Sequence, residues 1–186
     1  NAHASQGGPA TFVSGTFTIV NNGTITLPLE AASGGVQASS STPGETHLTQ
    51  GQLDSVVAAA IAQWAHAGAS ATQLAALSAI SFSVGDLTGN TIGEEGAGHI
   101  TIDRDAAGHG WFIDPTPNDN SEFTHAANVG GTDLFTDPSS AAAGHLDLLT
   151  AVTHEMGHQL GLPDLTAASD AHDLMYIDLV DGERRL

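Results

Sequence analysis

Cysteine is absent from all 186 residues of the chain. That excludes disulfides, thiolate metal sites, cysteine nucleophiles and any latency device built on a thiolate. Lysine is missing as well, and 3 arginines stand against 21 acidic residues, for a net charge of −18. Such a balance repels nucleic acid and anionic membranes, and neither is expected as a partner. It suits hard cations such as Ca²⁺, a salty exterior, or simply a solvated surface that resists aggregation. No apolar run approaches the roughly 18 residues a membrane span requires. The chain opens without Met and without a basic start leading into an apolar stretch. It therefore reads as a piece of a longer precursor, with no signal peptide of its own. Aromatics are scarce at 5%, but hydrophobic residues reach 40%, enough for one core.

What is present is patterned. Residues 1–10 read as a flexible lead-in. Phe17 and Ile19, then Ile25 and Leu27, alternate with Thr on either side of Asn22-Gly23. A tight-turn dipeptide between alternating segments predicts a β-hairpin over residues 16–29. Residues 31–45 are small and polar and read as a linker or loop. A helix is expected from Thr49, which forms a capping-box pair with Gln52. Leu53, Val56, Val57, Ala60, Ile61 and Trp64 follow at helical spacing, and Gly68 is a fitting stop. Residues 80–84 and 99–103 read as strands, and 111–114 as a strand or ordered loop. A second helix is expected over roughly 145–160, closed by Gly161 and Pro163. No internal repeat is visible. These elements predict an α+β protein, a mixed twisted sheet on two long helices.

Residues 154–164 read HEMGHQLGLPD. On a helix, His154 and His158 share one face and can offer imidazole nitrogens to one ion. Glu155, one position along, cannot join them as an equivalent ligand but can reach a water and act as general base. Gly161 lets the helix end left-handed and the chain turn back, bringing Asp164 towards the same ion. Three protein ligands leave a fourth position for water, the mark of a catalytic rather than a structural site. A bare HExxH arises by chance in roughly 2% of chains of this composition. Requiring Gly seven residues after the first His, and His or Asp ten after it, lowers that to about 3 in 10,000.

This motif, with a Met downstream, resembles the matrixin branch of the metzincin zinc peptidases. The variant with Asp in the last position looks like the snapalysin family of small secreted bacterial enzymes. The resemblance implies a zincin fold, with zinc on His154, His158 and Asp164, and Glu155 acting on the water. It also implies a Met-turn, for which Met175 in HDLMYIDL is the candidate, packing beneath the site rather than binding the metal. It covers residues 154–176 closely and residues 48–160 only in architecture. Three departures stand out, one being that nothing in the sequence resembles a known propeptide inhibitory motif. Several metzincins place a Tyr two residues after the Met, where it can swing onto zinc. Here Tyr176 follows Met175 directly, which leaves its role open. The family also ends in a helix after the Met-turn, whereas only the stretch from Tyr176 to Leu186 remains here.

The expectation is thus an N-terminal segment over residues 1–45 with hairpin and linker, then a metzincin-type catalytic domain over 46–186. The function expected is zinc-dependent endopeptidase activity on protein or peptide substrates, its own precursor among them. The protein is expected to be a monomer, secreted or at a bacterial cell surface. Two rivals are a module that cuts only its own precursor, and a metal-stabilised domain of a large surface protein with little turnover. His172 is an alternative third ligand; His99, His109, His125 and His145 are scattered. The stretch HITID at 99–103 resembles the edge strand on which metzincins align extended substrates. Asp103 and Asp105, and Asp114, Asp119, Asn120 and Glu122, form oxygen-rich loop clusters that suit structural Ca²⁺. The same residues are also ordinary turn formers.

Overall fold

A computed structural model describes residues 18–19, 25–39, 47–96 and 98–186. The lead-in at 1–10, the Asn22-Gly23 turn and residues 40–45 of the expected linker lie outside them. Within the expected hairpin, β1 (Thr18–Ile19) and β2 (Ile25–Thr26) pair antiparallel, with Ile19 opposite Ile25. Next comes β3 (Leu29–Gly35). Its second half falls where the small, polar sequence reads as a linker, so residues 31–35 are strand rather than loop. Propensity is weak there. Partners on both sides, and burial of Leu29 and Ala31, supply what it lacks.

The first helix, α1 (Gln50–His66), starts as expected, with the Thr49 and Gln52 side chains capping each other's backbone N–H. A second, unexpected helix, α2 (Ala71–Ser78), repeats the device with Ser70 and Gln73. The chain then forms β4 (Ser81–Gly85), β5 (Thr91–Gly96), β6 (His99–Asp103) and β7 (Trp111–Phe112). Shorter pieces follow: β8 (His125–Ala126), β9 (Asp133–Phe135) and β10 (Leu146–Asp147). The last helix, α3 (Leu148–Gln159), is capped by Asp147, whose carboxylate accepts from the Thr150 N–H. Strands β11 (Asp178–Asp181) and β12 (Glu183–Arg185) follow.

The main sheet is mixed, in the order β11-β3-β5-β6-β4. Strand β3 runs parallel to β11 and antiparallel to β5, and β6 runs antiparallel to β5 and parallel to β4. This corrects one expectation: HITID is β6, paired on both sides, so it has no free edge to offer an extended substrate. The coarse class is α+β, with three α-helices among the described residues.

Helix α3 is the centre of the molecule. Every residue from Leu148 to His158 is buried, as a helix apolar or satisfied on all sides must be. Leu149, Val152 and Met156 join Leu53, Val56 and Ala60 of α1 and Ile92, Ile100 and Ile102 of the sheet in one core. Burying each Leu or Ile side chain there stabilises the fold by about 1.5–3 kcal/mol. His154, Glu155 and His158 are therefore carried on a helix buried on every side.

Candidate metal centre

Three side chains converge at the C-terminal end of α3. His154 Nε2 lies 3.1 Å from His158 Nε2, and Asp164 Oδ1 lies 3.5 Å and 3.2 Å from the two. The helix supplies the first pair by its i, i+4 spacing. The third comes from the turn that ends it. Gly161 is left-handed at φ +87°, and the Gly161 and Leu162 amides donate back to the His158 and Gly157 carbonyls. That is the Schellman arrangement. It reverses the chain and brings Asp164 back over the helix end. Among the described residues this is the only place where three such groups gather.

The backbone decides which nitrogen faces inward. His154 Nδ1 donates to the Leu174 carbonyl at 2.8 Å, and His158 Nδ1 to the Leu162 carbonyl at 3.0 Å. A carbonyl can only accept, so each Nδ1 carries a hydrogen, and with the rings neutral each Nε2 presents a lone pair. Two lone pairs and a carboxylate oxygen then face one another, and Asp164 Oδ1 has no hydrogen-bond partner of good geometry. Such a group of acceptors repels itself unless something positive sits among them. Ligands at 2.0–2.1 Å around a tetrahedral ion stand about 3.3–3.4 Å apart. The three separations found here bracket that value, so the donor set fits a four-coordinate metal with two nitrogens and one oxygen.

The Glu155 side chain lies against β5. Opposite it lies Gly93, where an added Cβ would fall 2.6 Å from Oε1 and 3.0 Å from Cγ. The missing side chain at Gly93 is what makes room for the carboxylate. Both Glu155 oxygens are buried without a hydrogen-bond partner of good geometry. Burial pushes the Glu155 carboxyl up to about 8; His158 opposes the shift and the Asp164 charge adds to it. For His158, burial lowers basicity, but the Asp164 carboxylate and the Glu155 charge outweigh it and raise the ring to about 9. Burial dominates at His154 and lowers it. It would raise Asp164, yet the two imidazoles and the Leu27 amide hold that carboxyl well below the usual range.

Met175 lies under the helix, with its sulfur against Gly157; a Cβ there would sit 2.5 Å from Sδ. The Met175 backbone carbonyl receives the Leu165 N–H at 2.9 Å, which ties the return loop to Asp164's neighbour. Tyr176 lies beneath the Arg185 guanidinium, 5.5 Å from its ring centre. His172 is apart from the triad, its Nδ1 2.6 Å from Asp133 Oδ2. His99 bridges Ser81 and Ser83, His109 meets Asp181, and His145 meets the His109 carbonyl.

Some of the acidic and amide groups in the oxygen-rich loops meet protein groups. Asp103 accepts from the Leu87, Asp105 and Ala107 amides. Asp114 and the Asn120 side chain face the Arg184 guanidinium, at 2.7 and 3.4 Å. Sequence reasoning overlooked Gly93, although a glycine inside a strand signals close approach of another group. The Leu27 amide and the carbonyls of Leu162 and Leu174 leave no trace in a sequence, since every residue has them. No protein-family model, no curated protein and no solved structure matches the chain.

Proposed function

We propose that the chain is a zinc-dependent endopeptidase domain of the metzincin type. The observation that supports this most is the set of facing lone pairs on His154, His158 and Asp164, with an unpartnered Glu155 one residue along the same buried helix. A zinc ion held by those three would polarise a scissile carbonyl and lower the pKa of a water to about 7. The rest falls to the protein. The Leu174 and Leu162 carbonyls fix the two rings so that Nε2 faces inward, the kind of outer support that ligating His residues generally receive. Glu155 has no hydrogen-bond partner of good geometry, with only the Leu29 backbone beside it, so its carboxylate can take a proton and return it to the leaving amine. Met175 against Gly157 gives the helix a floor at the ligands.

Among the described residues no helix is long and apolar enough to cross a membrane. We take the substrate to be a protein or peptide met outside the cell. The burial of His154 and Glu155, each 0% exposed, favours a second reading, a metal-stabilised domain without turnover. One experiment separates the two. Purified protein should contain about one zinc, and removing it with phenanthroline should abolish cleavage of unfolded casein and of its own flanking sequence. Zinc without any cleavage favours the second reading, and a protein that takes up no zinc rejects both.

A further inference from the structure

Outside the metal site, the buried carboxylates of the described residues face an arginine, a histidine or several backbone amides, Glu95 excepted. Asp114 and Asp147 meet Arg184, and Glu183 meets Arg185. Asp133 and Asp181 meet His172 and His109, and Asp103 accepts from three amides. Glu95 is 2% exposed and stands opposite Ile100 across the sheet. Its Oε2 is buried without a hydrogen-bond partner. Its Oε1 accepts from Gln159 Nε2, a neutral amide that also donates to the Gly96 carbonyl at 3.3 Å.

A carboxylate is seldom buried without a partner for its charge. The chain has no lysine to offer, and its third arginine, Arg104, is engaged with Asp86. The positive group felt at Glu95 is His158. That ring is neutral whenever it binds a metal. A cation for Glu95 must then come from outside the chain.

Position indicates which cation. Gly93 and Glu95 stand two apart on β5, and Glu155 and Gln159 stand four apart on α3. Gly93 faces Glu155, and Glu95 meets Gln159. By strand and helix rise the second pair lies about 6–7 Å along from the first. If Glu155 works on a peptide bond, a long side chain beside that bond can span this distance. Gln159 is only half-buried, so one flexible neutral side chain stands between Glu95 and solvent.

We propose that Glu95 determines specificity: its carboxylate takes the ammonium or guanidinium of a lysine or arginine next to the scissile bond, displacing the Gln159 amide. This rests on the zinc-peptidase reading and adds to it a substrate class, peptides with a basic residue at the cut. The net charge of −18 acts in the same sense at longer range, drawing cationic segments to the protein.

The test uses the full chain, loaded with zinc. Unfolded casein is digested and the cut positions are mapped by mass spectrometry. Two peptides that differ only in lysine or leucine beside the bond then give a ratio of kcat/KM. The ratio is measured for wild type and for Glu95→Gln, which keeps the shape and can still accept from Gln159, with zinc content read on both. Most cuts should fall beside lysine or arginine. The wild-type ratio should be about 10- to 100-fold, the factor a hydrogen bond to a charged group carries. Glu95→Gln should erase it, whereas a merely structural role would slow both peptides alike and leave the ratio where it was. Cuts placed without regard to basic residues, or an unmoved ratio in a folded, zinc-loaded variant, overturn the proposal and leave the peptidase reading standing. A wild type that cleaves no casein overturns both. Should the variant not fold, the wild-type map and ratio decide.

Discussion

Gly93 on the sheet and Glu155 on the helix approach so closely that a methyl group on the first would lie 2.6 Å from a carboxylate oxygen of the second. The glycine is therefore part of how the carboxylate is placed. Gly93→Ala should push Glu155 out of position while leaving His154, His158 and Asp164 alone. The expected result is normal zinc content with cleavage reduced by about 10²-fold, the cost of a misplacement near 1 Å. Gly96→Ala on the same strand is the control, since its methyl would meet nothing nearer than 3.8 Å. Equal activity in the two variants would mean that Glu155 need not stand where it does.

Glu155 itself can be tested without changing shape. Its carboxylate is buried, and burial already favours the neutral form. Glu155→Gln should keep zinc and fold, with no loss in melting temperature. If Glu155 carries the proton, turnover should fall by about 10²–10⁴-fold. Hydrolysis, metal content and melting should be measured on one preparation. A folded, zinc-loaded variant cleaving at the wild-type rate would remove Glu155 from the mechanism.

The triad also makes a prediction about pH. In metal-free protein His158 is raised to about 9 and Glu155 to about 8, both above their ordinary values. A raised pKa means the folded state holds its proton more tightly than the unfolded chain does. That contribution to stability is complete below the unfolded values and fades as pH climbs through 8 and 9. Metal-free protein should therefore melt at progressively lower temperature between pH 6 and 9. Zinc must displace the same proton, so its affinity should rise across that window. Melting curves of stripped and loaded protein, with zinc titrations at several pH values, check both. An affinity independent of pH would show that the cluster holds no proton.

How much of this was legible beforehand differs by element. Local chemistry announces α1, because Thr49 and Gln52 cap it and the apolar stripe is long. The same capping signal stands at Ser70 and Gln73, but the Ala-rich run after it shows little periodicity, so pattern alone does not announce α2. The ligands could be read because i, i+4 spacing and a glycine stop are properties of sequence. Strand β3 could not, since its small residues become a strand only through partners distant in the chain. The position of β6 is likewise a matter of topology. Pattern recognises HITID as a strand but is silent on what lies to either side of it. The hold of Leu27 on Asp164 depends on a backbone amide, which is common to every residue but proline.

Arg184, the first of two adjacent arginines, carries the last prediction. Arg184 is 0% exposed. Its guanidinium holds Asp147 with both Nε and NH2, at 2.9 and 2.7 Å, and Asp114 at 2.7 Å. It accounts for the burial of both carboxylates, and it stacks 4.2 Å over Phe123. Asp147 is the cap of α3, so Arg184 fastens the start of the helix whose other end carries the ligands. Removing one partner from a buried ion pair leaves charge without compensation and costs about 3–5 kcal/mol. Arg184→Ala should lose about that much stability in denaturant unfolding. Arg184→Lys should recover only part of it, because an ammonium cannot reproduce the two-pronged grip on Asp147. Zinc affinity of the fraction that remains folded should be unchanged, as the ligands lie at the opposite end of the helix. A loss below about 1 kcal/mol, the range of an exposed ion pair, would mean that Asp114 and Asp147 find water when the arginine is gone.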